Sequence, residues 1–153
     1  MAREFKKVTG TKLTKAMIAD LQARGNTLSV PNCYLYIWES DIFNVTKSDY
    51  AIEYEIKVSR SDFFADFNKV DKHKRLEEQY LAKGFKTRTP NKFYYVVPDG
   101  LIDEEEVPEY AGLIVYTKYM SFKNIRNAPF LHKEKMNPNL WKDIAMKFYY
   151  KTL

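Results

Sequence analysis

Three side chains, Asp41, Glu55 and Lys57, have the types and spacing from which metal-assisted phosphoryl chemistry can be built. In Glu53-Tyr54-Glu55-Ile56-Lys57-Val58, charged and apolar residues alternate. A strand sends successive side chains to opposite faces, so Glu53, Glu55 and Lys57 share one face and Tyr54, Ile56 and Val58 the other. Charges on a central strand are costly to bury unless they pair or bind a metal. Asp41 begins the preceding strand-like run, and a hairpin between the two runs would bring it to the Glu55 and Lys57 face. Two carboxylates and a backbone carbonyl suit a hard divalent cation, with water filling the remaining octahedral positions of Mg²⁺. Such an ion polarises a phosphate and acidifies a bound water, while Lys57 would orient that water and offset charge building on the phosphate. The plain alternative for Glu55 and Lys57 alone is a cross-strand salt bridge.

These residues need a frame to position them, and the chain reads as one α/β domain over 1–153. Leu13, Ala16, Met17 and Leu21 form a helical stripe within Lys12 to Arg24, with Gly25-Asn26 as its C-cap. Strand-like runs follow at Tyr34 to Trp38 (a strand, or the first half of one that continues after a bend), Asp41 to Val45 and Tyr50 to Val58, the last two joined by the polar turn Thr46 to Asp49. Ser61 reads as the N-cap of a helix carrying Phe63, Phe64, Phe67 and Val70, with Asp62 in its first turn. The chain breaks near Lys83-Gly84. Two more strands are expected at Lys92 to Val97 and Ala111 to Tyr116, with the acidic run Asp103 to Glu106 as a solvated loop or short helical turn between them. A helix closes the chain from Pro138 to Leu153.

Composition narrows the function classes. A net charge of +5 and a pI near 9.1 point weakly towards an anionic partner. The single cysteine, Cys33, excludes an internal disulfide and zinc-cysteine sites, and fits a reducing, cytoplasmic setting. No apolar run is long enough for a membrane span, and the basic, polar start from Met1 to Thr11 is not a secretory signal. With only 5 glycines there is no phosphate-cradling glycine-rich loop.

Asp41, a hairpin and then Glu55-x-Lys57 resemble the signature of the PD-(D/E)XK nuclease superfamily. The stretch Glu55-Ile56-Lys57-Val58-Ser59-Arg60-Ser61-Asp62-Phe63 with Asp66 is similar to a small DNA-repair branch of it, the MmcB-like proteins. So are Phe93-Tyr94-Tyr95-Val96-Val97-Pro98 and Gly112-Leu113-Ile114. The resemblance spans roughly residues 35 to 130. It implies a restriction-endonuclease-like αβββαβ core with a mixed central sheet flanked by helices. It further implies phosphodiester cleavage dependent on Mg²⁺ or Mn²⁺, with Asp41 and Glu55 as metal ligands and Lys57 in the active site, and nucleic acid, DNA favoured, as the partner. Two departures stand out: Ser40 precedes Asp41 where a proline is usual, and the first helix holds only Asp20 where many members supply a glutamate.

Other residues carry two readings each. Lys69 and Lys72, in the basic run through His73, Lys74 and Arg75, either grip phosphates or form a solvated helix face. Glu53 either joins the site or is solvated at the strand's edge. Asp66 has a surface ion pair with Lys69 as its plain reading. His73 and His132 lack partners at metal-binding spacing and read as surface residues. Cys33 reads as a small semi-buried thiol, and Phe93, Tyr95 and Phe148 as core. A rival function is a catalytically inactive protein of the same fold that binds nucleic acid or serves a structural role; a weaker one is an interaction module in a larger assembly. Whether the chain forms a homodimer is left open.

Overall fold

Thr9 caps the first helix, its hydroxyl accepting the Lys12 N–H at 3.2 Å, and α1 runs over Gly10–Ala23. The computed structural model describes residues 7–25, 28–82 and 84–152, so Asn26 of the expected cap, Lys83 of the expected break and part of the N-terminal stretch lie outside the described residues. The side chain of Phe148 lies outside them as well. The rest of the chain forms β1 (Leu28–Tyr34), β2 (Glu39–Val45), β3 (Ala51–Ile56), α2 (Arg60–Ala65), α3 (Val70–Leu81), β4 (Lys92–Pro98), β5 (Gly112–Tyr116), β6 (Phe122–Arg126) and α4 (Pro138–Thr152). Single 3₁₀ turns sit at Asp66–Asn68 and Glu104–Glu106.

The strands form one sheet in sequence order. β1, β2 and β3 are a meander of antiparallel neighbours, β3, β4 and β5 run parallel, and β6 returns antiparallel on β5. The expected mixed α/β architecture, with the α-β-β-β-α-β order in its first part, is therefore present. Leu13, Met17 and Leu21 of α1 pack on Ile42, Tyr54, Ile56, Tyr94, Val96 and Ile114 from one side of the sheet. On the other side Phe43, Phe93, Tyr95, Leu113 and Val115 meet Phe63 of α2, Leu76 of α3 and Ile144 of α4. The side-chain period of two thus divides the strands between two cores. Gly112 is required by packing, since a Cβ there would come 2.4 Å from the Tyr94 ring.

Four local expectations are corrected. The aromatic run Tyr34–Trp38 is mostly the bend between strands, and the first strand lies earlier, through Pro31 and a left-handed Asn32 (φ 51°). Proline is tolerated there because β1 is an edge strand. Ser59, not Ser61, is the N-cap, its hydroxyl accepting the Asp62 N–H at 3.1 Å. The helix after β3 is two helices, because the chain tightens into the 3₁₀ turn and Lys69 leaves helical geometry (φ −78°, ψ 70°). The edge strand β6 was not expected at all; its Lys123, Asn124 and Ile125 are exposed, so no apolar alternation marks it.

Candidate active site

The β2–β3 register pairs Ile42 with Tyr54 and Phe43 with Glu53. Continued by one step, it sets Asp41 opposite Glu55, where the two strands end their pairing. Asp41 closes that end by accepting the Ile56 N–H at 2.8 Å. Glu53 and Glu55 point to the α3 side of the sheet, and Lys57 follows Glu55, its ammonium 3.2 Å from Glu55 Oε1. Glu55 and Lys57 are therefore in direct contact, while Asp41 faces Glu55 across the end of the pairing, bonded to the Ile56 N–H.

Beneath them lies a buried charge network that periodicity did not reveal. Asp66, where α2 passes into the 3₁₀ turn, is 1% exposed. Its Oδ2 accepts hydrogen bonds from the Tyr95 hydroxyl and from His73 Nε2, each at 2.8 Å. Its Oδ1 faces three ammonium groups, Lys57 at 3.5 Å, Lys69 at 3.3 Å and Lys72 at 3.5 Å. The same three lysines surround Glu55, Lys69 at 3.8 Å and Lys72 at 3.4 Å.

Several side chains therefore sit elsewhere than the sequence suggested. Lys72 is 2% exposed and lies over the Phe93 ring at 4.9 Å, so it cannot lie along a nucleic-acid backbone; its ammonium is a counter-charge inside the fold. Lys69 keeps half its surface at the rim. His73 is buried, its Nδ1 2.6 Å from the Tyr110 hydroxyl. Asp66 does pair with Lys69 at i,i+3, but from the interior. Glu53 is fully buried rather than solvated, both its oxygens accepting the Trp38 indole N–H at 2.8 and 2.9 Å. His132 is buried too, with Nε2 2.9 Å from the Thr89 carbonyl. Cys33, Phe93 and Tyr95 are buried.

Burial dominates the proton chemistry. It pushes the Glu55 carboxyl up to about 7, with Lys72 opposing and Asp41, Asp66 and Glu53 adding repulsion. Asp41 is raised by burial against the Ile56 N–H and Lys57, which favour its charge. Asp66 goes the other way: burial is outweighed by the His73 bond, by Lys72 and Lys57, and by the Tyr95 bond. Burial disfavours the Lys57 ammonium, yet Glu55, Asp66 and Asp41 hold its pKa above the usual lysine value.

The fit to a divalent cation can be judged on these groups. Asp41 and Glu55 occupy facing positions, burial disfavours the ionised form of each, and the ammonium groups of Lys57, Lys69 and Lys72 already compensate Glu55. Mg²⁺ needs few protein ligands because it keeps its waters, but at Glu55 it would compete with those lysines. No group of three or more His, Cys, Asp or Glu arranged to hold a metal occurs among the described residues. The part of α1 that lines the same hollow as Asp41 offers Thr11, Thr14 and Lys15, and no carboxylate. The carboxylates available to a cation are Asp41 and Glu55; the part of α1 beside Asp41 adds none.

No family model matches the chain, and no curated protein matches it. Among solved structures it is similar to the SPO1766 protein of unknown function from Silicibacter pomeroyi, with a TM-score of 0.63 and 20% identity over 95% of this chain and 87% of that one. That likeness establishes the shared fold. Among the described residues no helix is long and apolar enough to cross a membrane.

Proposed function

We propose that this protein is a metal-dependent nuclease, with DNA as the favoured substrate. The observation that carries the reading is that Asp41 and Glu55 face each other across the end of the β2–β3 pairing, with Lys57 in contact with Glu55. Asp41 and Glu55 would hold Mg²⁺ or Mn²⁺, which when bound supplies Lewis-acid polarisation of the phosphate and a water of lowered pKa. Lys57, kept protonated by Glu55 and Asp66, offsets charge that builds on the scissile phosphate. Lys69 at the rim contributes a phosphate contact that salt would weaken. Asp66, with His73 and Tyr95 behind it, fixes where the ammonium groups stand. The α-β-β-β-α-β order and the resemblance of the Glu55 to Phe63 stretch to the MmcB-like branch favour the same reading. A role in DNA repair rests on that resemblance, and a cytoplasmic setting on the lone buried thiol of Cys33.

One observation favours a second reading. Three lysines already neutralise Glu55 and Asp66, and α1 brings no acid to Asp41, an arrangement that also suits a non-catalytic protein binding nucleic acid through its phosphates. A panel of labelled single- and double-stranded DNA and RNA, incubated with Mg²⁺ or Mn²⁺, separates the two. Cutting supports the nuclease; salt-sensitive binding without cutting under any divalent metal supports the binding protein.

A further inference from the structure

At the opposite end of β3 from Glu55, the sheet and the segment leading into α4 line a cavity of about 170 Å³ that opens to solvent. Its lining mixes apolar Ala51, Phe85, Met136 and Leu140 with Arg88, Lys135 and the Tyr36 phenol, against the single carboxylate of Glu134. His132 and Asn91 are committed to the frame: Asn91 accepts the Ala51 N–H at 2.7 Å and donates to the His132 carbonyl at 3.0 Å, while the Glu134 N–H donates to His132 Nδ1 at 3.1 Å. Tyr36 is not so committed. Its side chain is 8% exposed, wedged against Trp38 and Phe43, and its hydroxyl meets no hydrogen-bonding partner among the described residues. The neighbouring Thr89 Oγ1 is buried without a partner. The Arg88 guanidinium stands at the lip with no carboxylate in salt-bridge range among the described residues.

A buried polar group without a partner, such as Thr89 Oγ1, is costly. Water satisfies the polar part of this lining and leaves the apolar part uncovered. An occupant with an apolar ring and an anionic end suits both parts. The volume is close to the ~150 Å³ of an engineered cavity that takes up benzene. A planar carboxylate matches the fork of an arginine better than a bare phosphate matches the apolar wall.

We propose that this cavity is a binding site for a small ring-bearing carboxylate, its ring against Met136 and Leu140 and its carboxylate on Arg88 and the Tyr36 hydroxyl. The site is separate from the Asp41 and Glu55 constellation and does not depend on the nuclease reading.

The test is a titration of the full chain, with ¹³C-methyl-labelled methionine, by benzoate, benzyl alcohol and inorganic phosphate, following the Met136 methyl signal. Benzoate should shift that signal saturably. Arg88→Gln should weaken its binding about tenfold or more, and Tyr36→Phe several-fold, since hydrogen bonds to a charged group are the strong ones. Arg88 is exposed and Tyr36→Phe removes one oxygen, so both variants should fold. No saturable shift with benzoate would overturn the proposal. So would benzyl alcohol or phosphate binding as well as benzoate, or both variants binding it as the wild type does.

Discussion

The Lys72 ammonium lies 3.4 Å from Glu55 Oε2 with both side chains 2% exposed, an ion pair enclosed between β3 and α3. Removing one member of such a pair leaves the other as an uncompensated buried charge. Lys72→Met should therefore destabilise the fold by about 3 kcal/mol or more at pH 8 in urea unfolding. At pH 5 the loss should be smaller, because Glu55 can take a proton there. A loss that is small and independent of pH would contradict the pairing.

The raised Glu55 carboxyl makes a signed prediction. Between its usual value of 4.5 and about 7, the folded state binds a proton that the unfolded state has released. The contribution of Glu55 to stability therefore falls as pH rises through that window and is level above it. Unfolding free energies measured from pH 4.5 to 8 should show this fall in the wild type and its absence in Glu55→Gln. The same proton competes with a cation, so Mn²⁺ binding by calorimetry should tighten as pH rises through about 7.

Asp66 is held by two buried donors as well as by lysines. Tyr95→Phe deletes one of them, at 2.8 Å, without changing the ring that packs on Phe63 and Phe93. The cost should be about 1.5–3 kcal/mol, the range for a hydrogen bond to a charged group. Thermal or urea unfolding checks it, and a neutral result would mean that Asp66 is satisfied without Tyr95.

Lys69 and Lys72 should separate in nucleic-acid binding, because one is at the rim and the other inside. Lys69→Ala should reduce the slope of log affinity against log salt by about 0.9 on duplex DNA, the effect of one lost phosphate contact. Any effect of Lys72→Gln should instead track the loss of folded protein. Equal changes in slope for two folded variants would overturn that division.

Much of this frame could be read in the residues themselves. The stripe Leu13, Met17 and Leu21 marked α1, and the alternation around Glu55 assigned the faces of β3, because in both places one period decides burial. Periodicity failed where burial depends on partners distant in the chain. Glu53, Asp66, Lys72 and His73 are charged or polar types that usually lie at the surface, yet Trp38, Tyr95 and Tyr110 bond Glu53, Asp66 and His73 from other elements, and Glu55 pairs with Lys72 from β3. Their identities offered one usable signal, a surplus of acids and bases on and after a strand whose other face is apolar. Edge strands failed for the opposite reason: β1 contains a proline and β6 exposes its middle, so neither shows the alternation that a covered strand requires.

The central claim is that Asp41, Glu55 and Lys57 act together on a phosphodiester. Its most direct test compares cleavage of labelled DNA by the wild type, Lys57→Ala and Asp41→Asn in Mg²⁺ and in Mn²⁺, with circular dichroism confirming that each variant is folded. Metal-dependent cutting by the wild type is expected, with a loss of about 10²-fold or more in each variant, the usual scale for removing a group that stabilises the transition state. Wild-type protein that cuts nothing with either metal, or folded variants that cut as fast as it does, would contradict the claim.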